Sequence, residues 1–470
     1  MIMPTYNQAE CLELTLGSLV GQTAGRDQFE VIVVDDASVQ DVHAVVRRYE
    51  GELQLRYVRH ETNRGRSTAR NSGVTASRAD RLLLMDADSY AAPDLVERHL
   101  RQSGDQGPGV VYGRRIEPSW GTFAALLQGG VPAERDLLPM EGDHRDLPQR
   151  DGSASERGEF DVYRRTGWMF GFTHNLSLPR ELYLQIGGFD EAFVQWGYED
   201  TDFTYRIYRH FGRDSGHFRY DPDAVCYHTP HFRDWASEWE NTKPVLPFLV
   251  RKYRHYDVEF FTHPSDNHRR VARTLPFYED CREFVRDHPA RVTGDRVRKA
   301  VSLPDSATSL WIGFDLGAAE PGRTTTIDHA VDFGPENPHL FGVRTPYADS
   351  SFDCVVHLDL WRMLTPIDLS ALIMDSLRIA DVAMLVRSKD VRRDPADGIG
   401  MIDDLDYFVS MVGPRYEAAV CYEDEEMAVV RLARRGSGGS GGSAGTGGAV
   451  EAGTGTAAPR GGHVTESAAP

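Results

Sequence analysis

Between residues 1 and 100 the hydrophobic period switches back and forth between that of a strand and that of a helix, and no other feature of the sequence restricts the fold as much. Met1 to Pro4 is apolar and reads as the end of a strand. Leu12, Leu16, Leu19 and Val20 then repeat at i, i+4, i+7 and i+8, one face of a helix. Val31 to Val34 is a β-branched run of the kind found in strands covered on both faces. Ser38 is a candidate N-cap for a helix carrying Val42, Val45, Val46 and Tyr49. Leu55 to Val58, Ser67 to Ser77 and Arg81 to Met85 continue as strand, helix and strand. Right-handed crossovers turn this order into an α/β, mostly parallel sheet with helices on both faces, and ligands of such sheets sit at the carboxyl ends of the strands.

Those ends are where the polar residues fall. Asp35 and Asp36 close the second strand, Asp86 and Asp88 follow the fourth, and Pro4-Thr5-Tyr6-Asn7 closes the first. A parallel sheet gathers all three into one crevice, with an acceptor-rich wall for a base and ribose and carboxylates able to hold a divalent cation. Each cluster alone is equally well explained as turn or cap chemistry; their coincidence is what carries weight. With 52 Lys and Arg against 71 Asp and Glu, the net charge of −19 excludes general nucleic-acid or anionic-membrane binding. No apolar run reaches the roughly 18–20 residues of a spanning helix. The five cysteines (Cys11, Cys226, Cys281, Cys354, Cys421) have no paired spacing, and the N-terminus shows no signal pattern, so a cytoplasmic protein without an integral membrane segment is expected.

Further along, residues 129–165 are rich in Gly, Pro, Asp, Arg and Ser and read as a long loop, either a lid or an insertion. Aromatic and acidic residues crowd Trp168 to His231, and residues 236–300 read as a charged helical extension. A second, smaller α/β pattern occupies 301–434, with strands expected at Leu310 to Phe314, His339 to Val343, Cys354 to Leu358, Val382 to Val386 and Met427 to Leu432. The Gly, Ser and Ala tail of 435–470 is expected to be disordered.

Pro4-Thr5-Tyr6-Asn7, Val34-Asp35-Asp36-Ala37-Ser38, Asn63-Arg64-Gly65 with Ala69-Arg70-Asn71-Ser72-Gly73, and Asp86-Ala87-Asp88 resemble the successive motifs of the inverting family 2 glycosyltransferases, which have the GT-A fold. Asn175-Leu176-Ser177, Gly187-Gly188-Phe189-Asp190 and Trp196-Gly197-Tyr198-Glu199-Asp200 continue it, resembling the acceptor half of galactosyltransferase and chondroitin-polymerase-type enzymes. The resemblance implies a nucleotide-sugar-binding half at 1–115 and an acceptor half at 116–235. It implies that Pro4 and Tyr6 flank the base, that Asp36 receives its edge with Asp35 in support, and that Arg70 and Asn71 line the phosphate and sugar. Asp88 and Asp86 would hold Mn²⁺ or Mg²⁺ with a third ligand, His228, His231 being the alternative. Trp196, Gly197 and Asn175 would bind the acceptor, Glu199 would orient it, and Asp200 would act as base.

Tyr347 to Val356, followed by Leu358-Asp359-Leu360, is similar to the middle segment of class I methyltransferases. The turn Gly313-Phe314-Asp315-Leu316-Gly317 lacks that family's clustered glycines, so a degenerate accessory domain is expected, serving the acceptor or homo-oligomerisation. The resemblance thus implies a metal-dependent inverting glycosyltransferase taking a sugar from a nucleotide diphosphate, UDP foremost, to a hydroxyl of a glycan, natural product or peptide. The alternatives are a non-catalytic nucleotide-sugar-binding scaffold and a bifunctional glycosyltransferase-methyltransferase.

Overall fold

The computed structural model describes residues 1–101, 109–130, 165–194, 197–232, 234–263, 268–304, 306–317, 322–391 and 400–435. Most of the 129–165 loop, Trp196 and all but the first residue of the 435–470 tail lie outside them. Eight strands form one sheet: β1 (Ile2–Thr5), β2 (Val31–Asp35), β3 (Leu55–Arg59), β4 (Arg81–Met85), β5 (Ser89–Ala91), β6 (Val110–Ile116), β7 (Asn175–Pro179) and β8 (Phe218–His228). Their order is β3-β2-β1-β4-β7-β6-β8-β5. The first four pairings follow the sequence reading: β3, β2, β1 and β4 are parallel neighbours, with helices Ala9–Val20, Val42–Arg47 and Arg66–Ala76 in the crossovers. β7 then enters antiparallel to both β4 and β6, while β8 runs parallel to β6.

Successive side chains of a strand point to opposite faces, and here both faces are covered. Met1, Met3, Val31, Val33, Leu83 and Met85 join Leu12, Leu16 and Leu19 in one core. Ile2, Ile32, Val34, Leu82 and Leu84 join Ala69 and Val74 in the other. Ser38 is not the cap of the second helix. Asp41 is, accepting from the Ala44 amide, because Ser38 is held back to accept from the Asn7 amide.

Residues 235–301 carry helices Trp235–Thr242, Val245–Tyr253, Tyr256–Phe261, His268–Asp287 and Gly294–Val301. A second sheet follows, built of β9 (Ser309–Gly313), β10 (Thr324–Asp328), β11 (Phe352–Leu358), β12 (Ala380–Ser388), β13 (Tyr416–Glu423) and β14 (Met427–Arg434), ordered β10-β9-β11-β12-β14-β13. β9 to β12 are parallel and the β13–β14 hairpin is antiparallel. The strand expected at His339 to Val343 is absent. That apolar run instead packs as a loop over Tyr256–Phe261, where the fully buried Glu259 carboxylate accepts from the Phe341, Gly342 and Arg344 amides. A carboxylate that takes three backbone donors leaves none of them for a ladder. The β10 strand comes from the Thr324-Thr325-Thr326-Ile327 run. Residues 1–434 form one compact unit, and one core runs from Leu84 through Phe260, Tyr278 and Phe341 to Leu372 and Val430. Among the described residues no helix is long and apolar enough to cross a membrane, and all five cysteines are free thiols.

Candidate active site

At the carboxyl end of β1, Tyr6 is 47% exposed and Pro4 is buried within the strand. The two carboxylates after β2 are both engaged. Asp35 accepts from the Ser38 amide, from the Tyr57 hydroxyl at 2.6 Å and from Arg59. Asp36 pairs with His60 at 2.7 Å and accepts from the Arg64 and Gly65 amides, fixing the 63–65 loop beside Tyr6's end of the crevice.

Arg70, on the helix Arg66–Ala76, is 2% exposed and joins the two halves of the site. It donates to Asp86 at 3.1 Å and to Glu199 at 3.0 Å, with its guanidinium over the Phe189 ring. Burial pushes the Glu199 carboxyl up, yet the charges of Arg70 and Arg66 outweigh it and hold the group below its ordinary value. Glu199 and Asp200 open the helix Glu199–His210, preceded by Gly197 at φ +113° and Tyr198 at φ +64°. A side chain at Gly197 would also meet Thr242, so both the backbone and the space require glycine there. Asp200 is half-buried and accepts from the Thr201 amide.

The third cluster lies across β5 and β8, where Ser89 pairs with His228. One ligand atom each from Asp88, His228 and His231 lies within 4.8 Å of the others. His228 Nε2 is 3.4 Å and His231 Nδ1 3.8 Å from Asp88 Oδ2. Asp88 is 9% exposed, and its Oδ1 is buried without a hydrogen-bond partner. Burial pushes the Asp88 carboxyl up, but the His228 hydrogen bond and the Arg115 charge hold it well below the usual carboxylate range. Burial likewise pulls the His228 imidazole down, and its hydrogen bonds to Asp88 and Glu117 raise it above its ordinary value. A carboxylate with one oxygen toward two imidazoles and the other buried without a partner fits a divalent cation, and the mixed N and O donors suit Mn²⁺ better than the all-oxygen preference of Mg²⁺.

Three expected roles need correction. Asp86 is not in the cation cluster, because the chain turns after it and its carboxylate goes to Arg70; His231, the alternative third ligand, joins Asp88 and His228 instead. Asn71, expected on the phosphate and sugar side, is engaged within the protein: its amide donates to the Phe189 carbonyl and Glu191 and accepts from Tyr183 and the Phe189 amide. Asn175 is fully buried, its amide donating to the carbonyls of Arg114 and Ala224 and facing His99, so it does not reach an acceptor. Sequence reasoning missed Gln8, whose amide donates to Asp88 at 3.4 Å, and the pair Arg115 and Glu117. Only the places of Gln8 past the end of β1 and of Arg115 and Glu117 about the end of β6 hint at them.

Polar residues gathered at the carboxyl ends of β1 and β2, with a candidate cation cluster across β5 and β8, suit a nucleoside diphosphate leaving group, the chemistry of the class of nucleotide-sugar-dependent transferases. Comparison with known proteins narrows the class. Residues 1–166 match Glycosyl transferase family 2, and residues 159–228 match the N-terminal domain of galactosyltransferase. The chain is 33% identical over 389 residues to validoxylamine A glucosyltransferase of Streptomyces hygroscopicus subsp. jinggangensis, covering 76% of this chain and 89% of that one. It is 29% identical over 300 residues to hyaluronan synthase of Pasteurella multocida, covering 61% of this chain and 30% of that one. Among solved structures it is similar to S. aureus TarS 1-349, at 19% identity and TM-score 0.37, over 55% of this chain and 64% of that one. The chain belongs to glycosyl transferase family 2 and is a glycosyltransferase with a nucleotide-sugar donor.

Proposed function

We propose that this glycosyltransferase is cation-dependent and inverting, moving a hexosyl group from a UDP-sugar to a hydroxyl acceptor. The observation that carries the cation dependence is the cluster of Asp88, His228 and His231, in which the Asp88 carboxylate also keeps a buried, unpartnered Oδ1. Asp88, His228 and His231 would hold Mn²⁺, which supplies positive charge to the departing diphosphate. Tyr6 flanks the base, and Asp35 and Asp36 hold the loops that enclose it. Arg70 fixes Glu199 as an ionised acceptor of hydrogen bonds, so that Glu199 orients the incoming hydroxyl rather than deprotonating it. Asp200, beside it and less buried, takes the proton as the hydroxyl attacks the anomeric carbon from the side opposite the diphosphate, which inverts that centre. Gly197 borders the acceptor side. A relative that matches 76% of this chain is named validoxylamine A glucosyltransferase, which puts UDP-glucose and that acceptor first in any panel, ahead of glycans and peptides.

The test is nucleoside diphosphate release from UDP-, GDP- and dTDP-sugars, with Mn²⁺ or EDTA, for wild type, Asp88→Ala and Asp200→Asn. Release that needs both the cation and Asp88, with transfer lost in Asp200→Asn by roughly 10²–10⁴-fold, supports the reading. Turnover unchanged by EDTA and by Asp88→Ala would overturn it, and donor binding without turnover in every acceptor mixture would leave a binding protein.

A further inference from the structure

We propose that Glu117 is the positioning residue of the cation site: its carboxylate holds the His228 imidazole by its Nδ1–H, which keeps Nε2 on the Asp88 side as the nitrogen that a cation would take. This rests on reading Asp88, His228 and His231 as a divalent-cation site. His228 Nδ1 lies 2.6 Å from Glu117 Oε2, and a carboxylate can only accept, so the hydrogen of that contact belongs to the imidazole. The other carboxylate oxygen, Oε1, is 3.0 Å from Arg115, which stops Glu117 from turning away. The ring therefore has one orientation, with Nε2 3.4 Å from Asp88 Oδ2; without a cation a hydrogen on Nε2 faces that carboxylate, and loss of that hydrogen frees Nε2 as the ligand nitrogen. Ligating histidines gain affinity from this kind of outer partner, typically about 10–100-fold.

The sheet is built to make the pair meet. β6 and β8 run in parallel register at Gly113↔Asp221, then resume at Arg114↔Val225, so Pro222, Asp223 and Ala224 are passed over as a bulge. After it Ile116 lies opposite Tyr227, and the next residues along are Glu117 and His228. Without the bulge Glu117 would stand beside Val225. Asn175 clamps the bulge by donating to the carbonyls of Ala224 and Arg114 on either strand. A Cβ at Gly113 would collide with that same carbonyl and amide, so the close approach depends on glycine.

The experiment uses the full chain and Mn²⁺ with UDP, titrated by calorimetry, for wild type, Glu117→Ala, Glu117→Gln and Asp88→Ala. It is joined by ¹⁵N shifts of the His228 ring, assigned by their absence from His228→Gln. Expected are loss of Mn²⁺ affinity of about 10–100-fold in Glu117→Ala and recovery of most of it in Glu117→Gln, whose carbonyl accepts the same N–H. The cation-free wild type, brought to a pH at which the ring is neutral, should keep its hydrogen on Nδ1. Mn²⁺ affinity unchanged in Glu117→Ala while Asp88→Ala loses it would overturn the role of Glu117, as would a neutral ring in wild type with its hydrogen on Nε2 rather than Nδ1, whether or not the variants fold. If wild type takes up no Mn²⁺ at all, the cation reading itself fails and the proposal falls with it.

Discussion

Arg70 shows how much one side chain carries at this site. It is buried with a guanidinium fork shared between Asp86, whose side chain keeps 25% of its exposure, and Glu199, which keeps 7%. Removing the arginine strands Glu199 in particular, since a buried carboxylate without its counter-charge has neither water nor cation to face. Arg70→Ala should therefore cost about 3 kcal/mol or more in urea unfolding, in addition to abolishing transfer. Arg70→Lys should restore part of the stability but little of the transfer, because an ammonium cannot hold both carboxylates in a planar fork. Equal unfolding midpoints for wild type and Arg70→Ala would contradict this account. Residue identity made Asp88 and His228 legible in the sequence, for each sits at the end of an apolar run that reads as a strand. The distinction between Asp86 and Asp88 was not legible. Two residues apart on an extended chain they would share a face, but residues 87 and 88 form a turn that sends one carboxylate to Arg70 and the other to the histidines.

At the scale of elements, strands were easier to find than their pairings. The run ending at His228 is visible as apolar sequence, whereas the bulge that slides it past β6 is not, because Pro222 and Asp223 read only as a generic turn. The same limit misplaced Asn175: a polar residue opening a strand beside the acceptor motif looks like a ligand contact, and its actual partners are carbonyls on strands it meets only after folding. Its amide donates to two carbonyls, so its oxygen faces His99, which must carry its proton on Nε2 and accept from Ser177 at Nδ1. Asn175→Ala takes a donor from two buried carbonyls and an acceptor from a buried imidazole N–H, at about 1–3 kcal/mol for a buried group that loses its hydrogen bond and not additively. We expect a loss of about 3 kcal/mol, faster amide exchange across Phe218–His228, and weaker Mn²⁺ binding although Asn175 touches no ligand. Gly113→Ala should act the same way through steric conflict at the clamp. If exchange quickened while the cation affinity held, the bulge would be a matter of stability alone. Likewise the His339 to Val343 run has strand-like composition, and only the Glu259 carboxylate, 82 residues away from Phe341 in sequence, turns it into a loop.

For the molecule as a whole, acid is where the two sheets can be tested together. Desolvation pushes His99, under the first sheet, down to about 4, His339, against the helical segment, to about 4, and His357, in the second sheet, to about 3. His255, His263 and His329 shift in the same direction, burial again being the main cause. Each is buried neutral, so below pH 6.5 the unfolded chain takes up protons that the folded chain refuses, and stability falls as pH falls. For His99 and His339 the loss runs from about pH 6.5 down to about 4, and for His357 further, to about 3. His228 works the other way: raised by Asp88 and Glu117, it adds stability below 6.5 that is lost as pH rises through its folded value. Glu259, which burial pushes up to about 8, and the raised carboxyls of Glu279 and Asp359 work the same way as His228, so four groups stand against six and the balance stays with the neutral histidines. Urea unfolding at pH 7.5, 6, 5 and 4.5 should show uptake of about 2–3 protons or more near pH 5, from the slope of stability against pH. His357→Gln, which keeps a polar group toward Ser376, should lower that slope by about one proton. Because residues 1–434 share a continuous core, the uptake should appear in a single transition reported equally by probes in either sheet. Two separated acid transitions, with the His357→Gln effect confined to one, would show instead that the second sheet unfolds on its own.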